Sequence, residues 1–180
     1  MLLKMSDSCL LIVDIQQKLT PFTHESEILI KNCRWICEVA KEFNIPTLIS
    51  EQYPKGLGRT IPELLEVFPE VPVMDKVHFS CGADFGCIQQ INATQKKQIV
   101  LIGIEAHVCV LQTALSLLEM GKQVFVVVDA ISSRNPHDKK IAIKRMWKHG
   151  VELMTREMVF FEWMHQAGTE QFKKMSKQFL

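Results

Sequence analysis

The sequence predicts an α/β fold: a parallel β-sheet with helices packed on both faces. Three observations point there. Short β-branched apolar runs recur along the chain, segments of helical spacing separate them, and the runs are continuous rather than alternating. Continuous apolar runs belong to strands covered on both sides. Strand, helix and strand repeated in this order build βαβ units, which require parallel pairing.

The first run is residues 9–13, Cys-Leu-Leu-Ile-Val. Residues 28–43 follow with helical spacing: Ile28, Ile36, Val39, Ala40 and Phe43 share a stripe, while Lys31, Arg34, Glu38 and Lys41 lie elsewhere. Asn44, before Ile45 and Pro46, ends that helix. Residues 47–49 form the second run. Residues 51–72 read as a long irregular stretch, with Pro54, Pro62, Pro69 and Pro72 and the glycines Gly56 and Gly58. A loop of that length in a compact domain is usually functional. Residues 71–74 are a weaker strand, and 99–102 a strong one. A second helix covers 107–120, with Gly121 where a left-handed C-cap is favoured. Residues 124–128 are the next strong strand, 138–148 a third helix closed near Gly150, and 151–154 a further weak strand. The polar tail 169–180, with spaced apolar residues, suits a terminal helix or a partner contact.

With 180 residues the chain suits a single domain, 1–180, with its core at about 8–165 and a tail at 166–180. The apolar share of 47% and charged share of 23% are ordinary for a globular protein. Twenty-one basic residues against 20 acidic ones give a formal charge of +1, which supplies no electrostatic footprint for nucleic acid or an anionic membrane. The start of the chain lacks a basic stretch leading into an apolar run, and no run is long enough to span a bilayer. Of the six cysteines, Cys9, Cys33 and Cys37 read as small apolar packers in a reducing compartment, so the cytoplasm is expected. No CxxC pair or matching histidine spacing suggests zinc, and no metal or other cofactor is expected.

Ligands of open parallel sheets bind beyond the carboxyl ends of the strands. That rule selects Asp14, directly after the first run; Ser50, Glu51 and Gln52 after the second; Lys76 after the weak third; residues 103–109 after the fourth; and Asp129 after the fifth. Cys109 falls in the first turn of the helix beginning near His107, where free N–H groups and the helix dipole favour a thiolate. Those N–H groups also suit a negative oxygen developing on a carbonyl. A nucleophile, a carboxylate to move a proton and an ammonium to stabilise charge are what acyl transfer to water requires. Singly, Cys109 reads equally well as a packed small residue, Asp14 as a cap and Lys76 as a surface lysine; together, at three strand ends, they point to chemistry.

Three stretches carry a resemblance: Leu11-Ile12-Val13-Asp14-Ile15-Gln16, Asp75-Lys76-Val77-His78-Phe79-Ser80, and Gly103-Ile104-Glu105-Ala106-His107-Val108-Cys109-Val110. The chain resembles the isochorismatase-like hydrolases from Cys9 to about Met164, and within them the small metal-free branch named after its isochorismatase domain. Residues 51–58 and 129–134 look characteristic of that branch. The resemblance implies a Rossmann-like three-layer sandwich with a six-stranded parallel sheet. It also implies Cys109 as nucleophile, Asp14 as the base that takes its proton, and Lys76 as the charge supporting the thiolate. A cis peptide between Ile104 and Glu105 is implied, aiming the N–H of Glu105, beside that of Cys109, at the oxyanion. Metal-binding nicotinamidases carry an aspartate and histidines after the second strand, where this chain has Ser50-Glu51-Gln52-Tyr53. The ether-cleaving isochorismatases lack the cysteine. What remains is hydrolysis of an amide or carbamoyl C–N bond in a small molecule, through an acyl-enzyme.

His78, Phe79, Gln52 and Tyr53 are the expected pocket lining, with Arg59 as a closing contact. A homo-oligomer is expected, with the apolar segment 159–164 as a candidate interface and Trp147, Trp163 and Met164 as core or subunit contacts. Two rivals stand beside the hydrolase: an inactive oligomeric binding or scaffold protein on the same fold, and a redox sensor with Cys109 as a low-pKa thiol resolved by Cys81 or Cys87.

Overall fold

A computed structural model describes all residues, 1–180. Six strands pair in parallel in the order β3-β2-β1-β4-β5-β6. They are β1 (Ser8–Val13), β2 (Thr47–Gln52), β3 (Val73–Lys76), β4 (Gln98–Ile104), β5 (Gln123–Ser132) and β6 (Glu152–Met154). This is the sheet the apolar runs predict.

Strand alternation divides the core into two layers. Leu10 and Ile12 of β1, with Val100 and Ile102 of β4, face helices α1 (Ser26–Glu42), α7 (Arg156–Met164) and α8 (Glu170–Phe179). Cys9, Leu11 and Val13, with Ile99 and Leu101, face α4 (Phe85–Ala93), α5 (Leu111–Glu119) and α6 (Pro136–Lys148). Both faces are therefore apolar, which is why these strands read as unbroken runs. All six cysteines are free and buried, and no helix is long and apolar enough to cross a membrane.

Several local expectations change. Residues 51–72 are not irregular: β2 continues to Gln52, and short helices α2 (Pro54–Leu57) and α3 (Pro62–Leu65) follow. Pro54 and Pro62 sit at first-turn positions, where a missing N–H costs nothing. Helix α4 has no counterpart in the sequence reading, although Asp84 caps it by accepting from the N–H groups of Gly86 and Cys87. Cys109 lies in a wide π-type turn, Ala106–Val110, ahead of α5 rather than in its first turn. Asp129 lies within β5, and its carboxylate accepts the Arg156 N–H at 2.9 Å.

The segment 159–164 belongs to α7, and Val159, Phe160, Trp163 and Met164 are buried inside the chain. Its apolar face is core, which removes it as the expected subunit interface. Trp147, by contrast, is 65% exposed and no part of the core. The tail forms α8, anchored by buried Met175 and by a hydrogen bond from Trp35 Nε1 to the Phe179 carbonyl.

Candidate functional site

The strand order reverses between β1 and β4, and the crevice beyond their carboxyl ends is where such sheets bind ligands. Asp14 leaves β1 on one side of it, and the turn bearing Cys109 leaves β4 on the other. Gly103 makes this approach possible. It lies opposite Val13 with φ +126°, and a Cβ there would meet the Val13 carbonyl oxygen at 2.0 Å. Asp14 itself has a left-handed backbone, φ 52°, a conformation aspartate tolerates better than most residues.

Both Asp14 oxygens are engaged. The Ser50 hydroxyl donates to Oδ1 at 2.7 Å, and Lys76 Nζ donates to Oδ2 at 2.7 Å. Neither side chain of the Asp14–Lys76 pair has measurable exposure. Lys76 Nζ also donates to Gln52 Oε1 at 2.6 Å. Burial disfavours this ammonium, but the Asp14 carboxylate holds its pKa above the ordinary lysine value.

Cys109 is 6% exposed. Burial first, and the Asp14 charge second, push its thiol well above the ordinary cysteine value, against the pull of Lys76. Both Asp14 oxygens accept from Ser50 and Lys76, and Cys109 Sγ makes no hydrogen bond with either; it senses Asp14 as a charge. Burial and the Asp14 charge thus bias Cys109 toward the thiol, against the thiolate that a position near a helix start favours.

Glu105 is the connecting residue. The Ile104–Glu105 peptide is cis, as the resemblance implied. The Glu105 carbonyl accepts from the N–H groups of Val108 and Val110, while its own N–H donates to no group of the protein.

The expected pocket residues divide. Gln52 is buried with its amide fully committed, Oε1 to Lys76 and Nε2 to the Val77 carbonyl at 2.8 Å, so it braces the ammonium rather than facing a ligand. Tyr53 is exposed and lines a cavity of about 310 Å³ with Pro54, Lys55, Asp75, Lys76, Val77 and Asp84. His78 and Phe79 are exposed but outside that lining; the His78 ring lies 3.6 Å from Asp84. Arg59 closes the loop by pairing with Glu51 at 2.8 Å and Asp75 at 3.4 Å. A cavity of about 220 Å³ between α1 and β5 shares none of the Asp14, Lys76 or Cys109 side chains.

Sequence reasoning missed Gln16. Its Nε2 donates to the carbonyls of Gln52 and Gly58, and its Oε1 accepts the Gln52 N–H at 2.7 Å. Its place two residues after Asp14 was the available signal.

A six-stranded parallel α/β sandwich with this buried carboxylate, ammonium and thiol at its switch point is the architecture of the isochorismatase-like hydrolases. Residues 8–158 match the profile of the isochorismatase domain, and the chain belongs to that family. It is 36% identical over 172 residues to isochorismatase domain-containing protein 2 of Bos taurus, covering 94% of this chain and 81% of that protein. It is also similar to a solved structure described as the MAR1 ribonuclease of Caenorhabditis elegans, with TM-score 0.90, 36% identity, and 98% and 91% of the two chains covered. The YcaC gene product of Escherichia coli, described as an octameric hydrolase of unknown specificity, gives TM-score 0.88 and 31% identity over 92% and 83%.

Proposed function

We propose that this protein is a cysteine-dependent hydrolase that cleaves an amide or carbamoyl C–N bond of a small molecule. The observation that carries the reading is the fully buried Asp14–Lys76 pair beside the buried thiol of Cys109. An ion pair of this kind is rarely the cheapest way to fill a core. It gains a purpose if charge moves through it during reaction.

As Sγ of Cys109 bonds to the substrate carbonyl carbon, its proton passes to Asp14 and the carbonyl electron pair moves onto oxygen. The N–H groups of Glu105 and Cys109 receive that oxyanion. Lys76 pairs with the Asp14 carboxylate at rest and stabilises thiolate character on Sγ while the proton moves. Once the C–S bond has formed, the negative charge lies on the oxyanion. Collapse breaks the C–N bond, and the leaving amine takes the proton from Asp14. Water, deprotonated by Asp14, then cleaves the thioester and releases the acid and the thiol.

The assignment extends over 1–180 as one domain, acting without a bound cofactor. A nucleophilic thiol among five other free cysteines suits a reducing compartment, in keeping with the cytoplasm. Exposed Tyr53, Val77, Phe79 and Phe85 supply apolar surface for self-association, in keeping with the octameric Escherichia coli relative. The ribonuclease description of the Caenorhabditis elegans relative fits this chain less well. Its charge is nearly balanced, and two carboxylates, Asp75 and Asp84, line the cavity beside Lys76.

The test is ammonia release from a panel of small amides and carbamoyl compounds. Turnover should vanish in Cys109→Ala and fall about 10²–10⁴-fold in Asp14→Asn, which removes the proton carrier. Alkylation of Cys109 should slow in Asp14→Asn, because burial still favours the thiol and the base that takes its proton is gone. Cleavage of RNA without turnover of any amide would overturn the assignment.

A further inference from the structure

The turn bearing Cys109 is fastened from outside the crevice. The end of β5 runs beside the end of β4, with Ser132 opposite Ile104. Just beyond it, the Arg134 backbone N–H donates to Glu105 Oε1 at 3.2 Å, and its guanidinium Nε donates to the same oxygen at 2.9 Å. One residue earlier, Ser133 Oγ lies 2.9 Å from His107 Nδ1. The Glu105 side chain is 14% exposed and that of Arg134 is 67% exposed. The stretch 132–134 is itself pinned from behind. Ser132 Oγ donates to the His24 carbonyl at 2.7 Å, and the His24 N–H donates to the Ser133 carbonyl at 2.9 Å.

Glu105 therefore works with three of its parts. Its N–H is unclaimed, its carbonyl holds two N–H groups of the cysteine turn, and its carboxylate is gripped by Arg134. Resting on the hydrolase reading above, we infer that Arg134 is a positioning residue for the oxyanion site: through the Glu105 carboxylate it fixes where the Glu105 N–H and the Cys109 turn point. The guanidinium gives Glu105 Oε1 one charged N–H, from Nε, alongside the backbone N–H of the same residue, so the side chain supplies the charge-assisted half of the grip. Ser133 holds the same turn at His107, one residue before Val108. An exposed latch can be removed without opening the core, so its loss should disturb geometry rather than folding.

Two thiol reagents separate positioning from bulk stability. Addition to acrylamide joins Sγ to the terminal alkene carbon, pushes the alkene pair through to the carbonyl oxygen, and returns the thiol proton to the α-carbon. It passes through an oxyanion. Exchange with dithiodipyridine joins Sγ to one reagent sulfur, breaks the reagent S–S bond and releases pyridinethione, with the thiol proton taken up by the leaving group. No carbonyl oxygen gains charge. Rates at Cys109 are read by mass mapping of the whole protein in wild type, Arg134→Ala and Arg134→Lys.

Arg134→Ala should slow acrylamide addition about ten- to a hundredfold and leave disulfide exchange within about twofold of wild type. Arg134→Lys should recover part of the loss, since an ammonium keeps the charge but not the planar Nε–H placed against Glu105 Oε1. Wild-type rates with both reagents in Arg134→Ala, or equal slowing of both, would overturn the latch while leaving the hydrolase assignment intact. A wild-type Cys109 inert to both reagents would instead overturn the nucleophile assignment, and the latch with it.

Discussion

Ser50, Glu51 and Gln52 are consecutive at the end of β2, yet they serve two regions that share little. Ser50 and Gln52 point one way and hold the Asp14–Lys76 pair. Glu51 points the other way: its Oε1 accepts the N–H and hydroxyl of Thr60 at 2.7 and 2.8 Å, and its Oε2 pairs with Arg59. The period of two along a strand separates the jobs. One face carries a sealed charge pair available to chemistry; the other ties down the loop that bounds the site. Burial also differs, since Lys76 is fully enclosed whereas the Arg59 side chain is 64% exposed. The difference teaches that neighbouring polar residues in sequence need not share a role, and that the partner's exposure tells them apart.

The largest expected effect breaks the enclosed side. Lys76→Ala leaves the Asp14 charge buried without its partner and strips Gln52 Oε1 of a donor. It should cost about 3–5 kcal/mol in denaturant unfolding and abolish turnover. Combining Lys76→Met with Asp14→Asn should restore much of the stability and none of the activity. Full stability in Lys76→Ala would show that the pair is not sealed.

On the loop side, Glu51→Ala removes an acceptor from two Thr60 donors and should cost about 2–3 kcal/mol. Arg59→Ala, which deletes the exposed partner, should stay within about 1 kcal/mol. Equal losses from the two variants would erase the distinction between Thr60 as the anchor and Arg59 as a surface contact.

The third expectation sharpens the site through pH. Burial and Asp14 raise the Cys109 thiol above its ordinary value of 9.0, and burial raises Cys9 to about 12. Above pH 9 the unfolded chain releases these protons while the folded chain keeps them. Stability is therefore fully present below about pH 9 and falls as pH rises, by about 1.4 kcal/mol per pH unit for each such thiol. Cys109→Ala should match wild type near pH 7 in its pH slope and show a shallower decline between pH 9 and 11. Parallel curves would mean that the thiol is not held protonated.

Much of the fold was legible because its signals are local. Residues 9–13, 99–102 and 124–128 are apolar on both faces, which is the mark of strands between two helical layers. Helix α1 announced itself by its stripe and by Asn44, whose φ of 54° stops it. Helix α4 did not: Gly86, Gln89, Gln90 and Asn92 dilute its apolar face, and its Asp84 cap is a weak cue alone. Of the site, Asp14, Lys76 and Cys109 could be picked out by their places at strand ends. Gln16 offered only its place two residues after Asp14, and Arg134 offered less, because a bracing amide or a latching guanidinium resembles a surface one in sequence. The apolar segment 159–164 misled for the same reason, since periodicity does not say whether a face is covered from within the chain or by another.

By itself the sequence determined the layered α/β architecture and the short set of polar residues at the strand ends, because backbone sterics and the hydrophobic period act over a few residues. Tertiary structure alone decided which of those residues meet, that Gln52 braces Lys76 rather than a ligand, and that burial and Asp14 raise the Cys109 thiol. Those outcomes depend on burial and on charges far apart along the chain, and both exist only once β1, β2, β3 and β4 lie side by side.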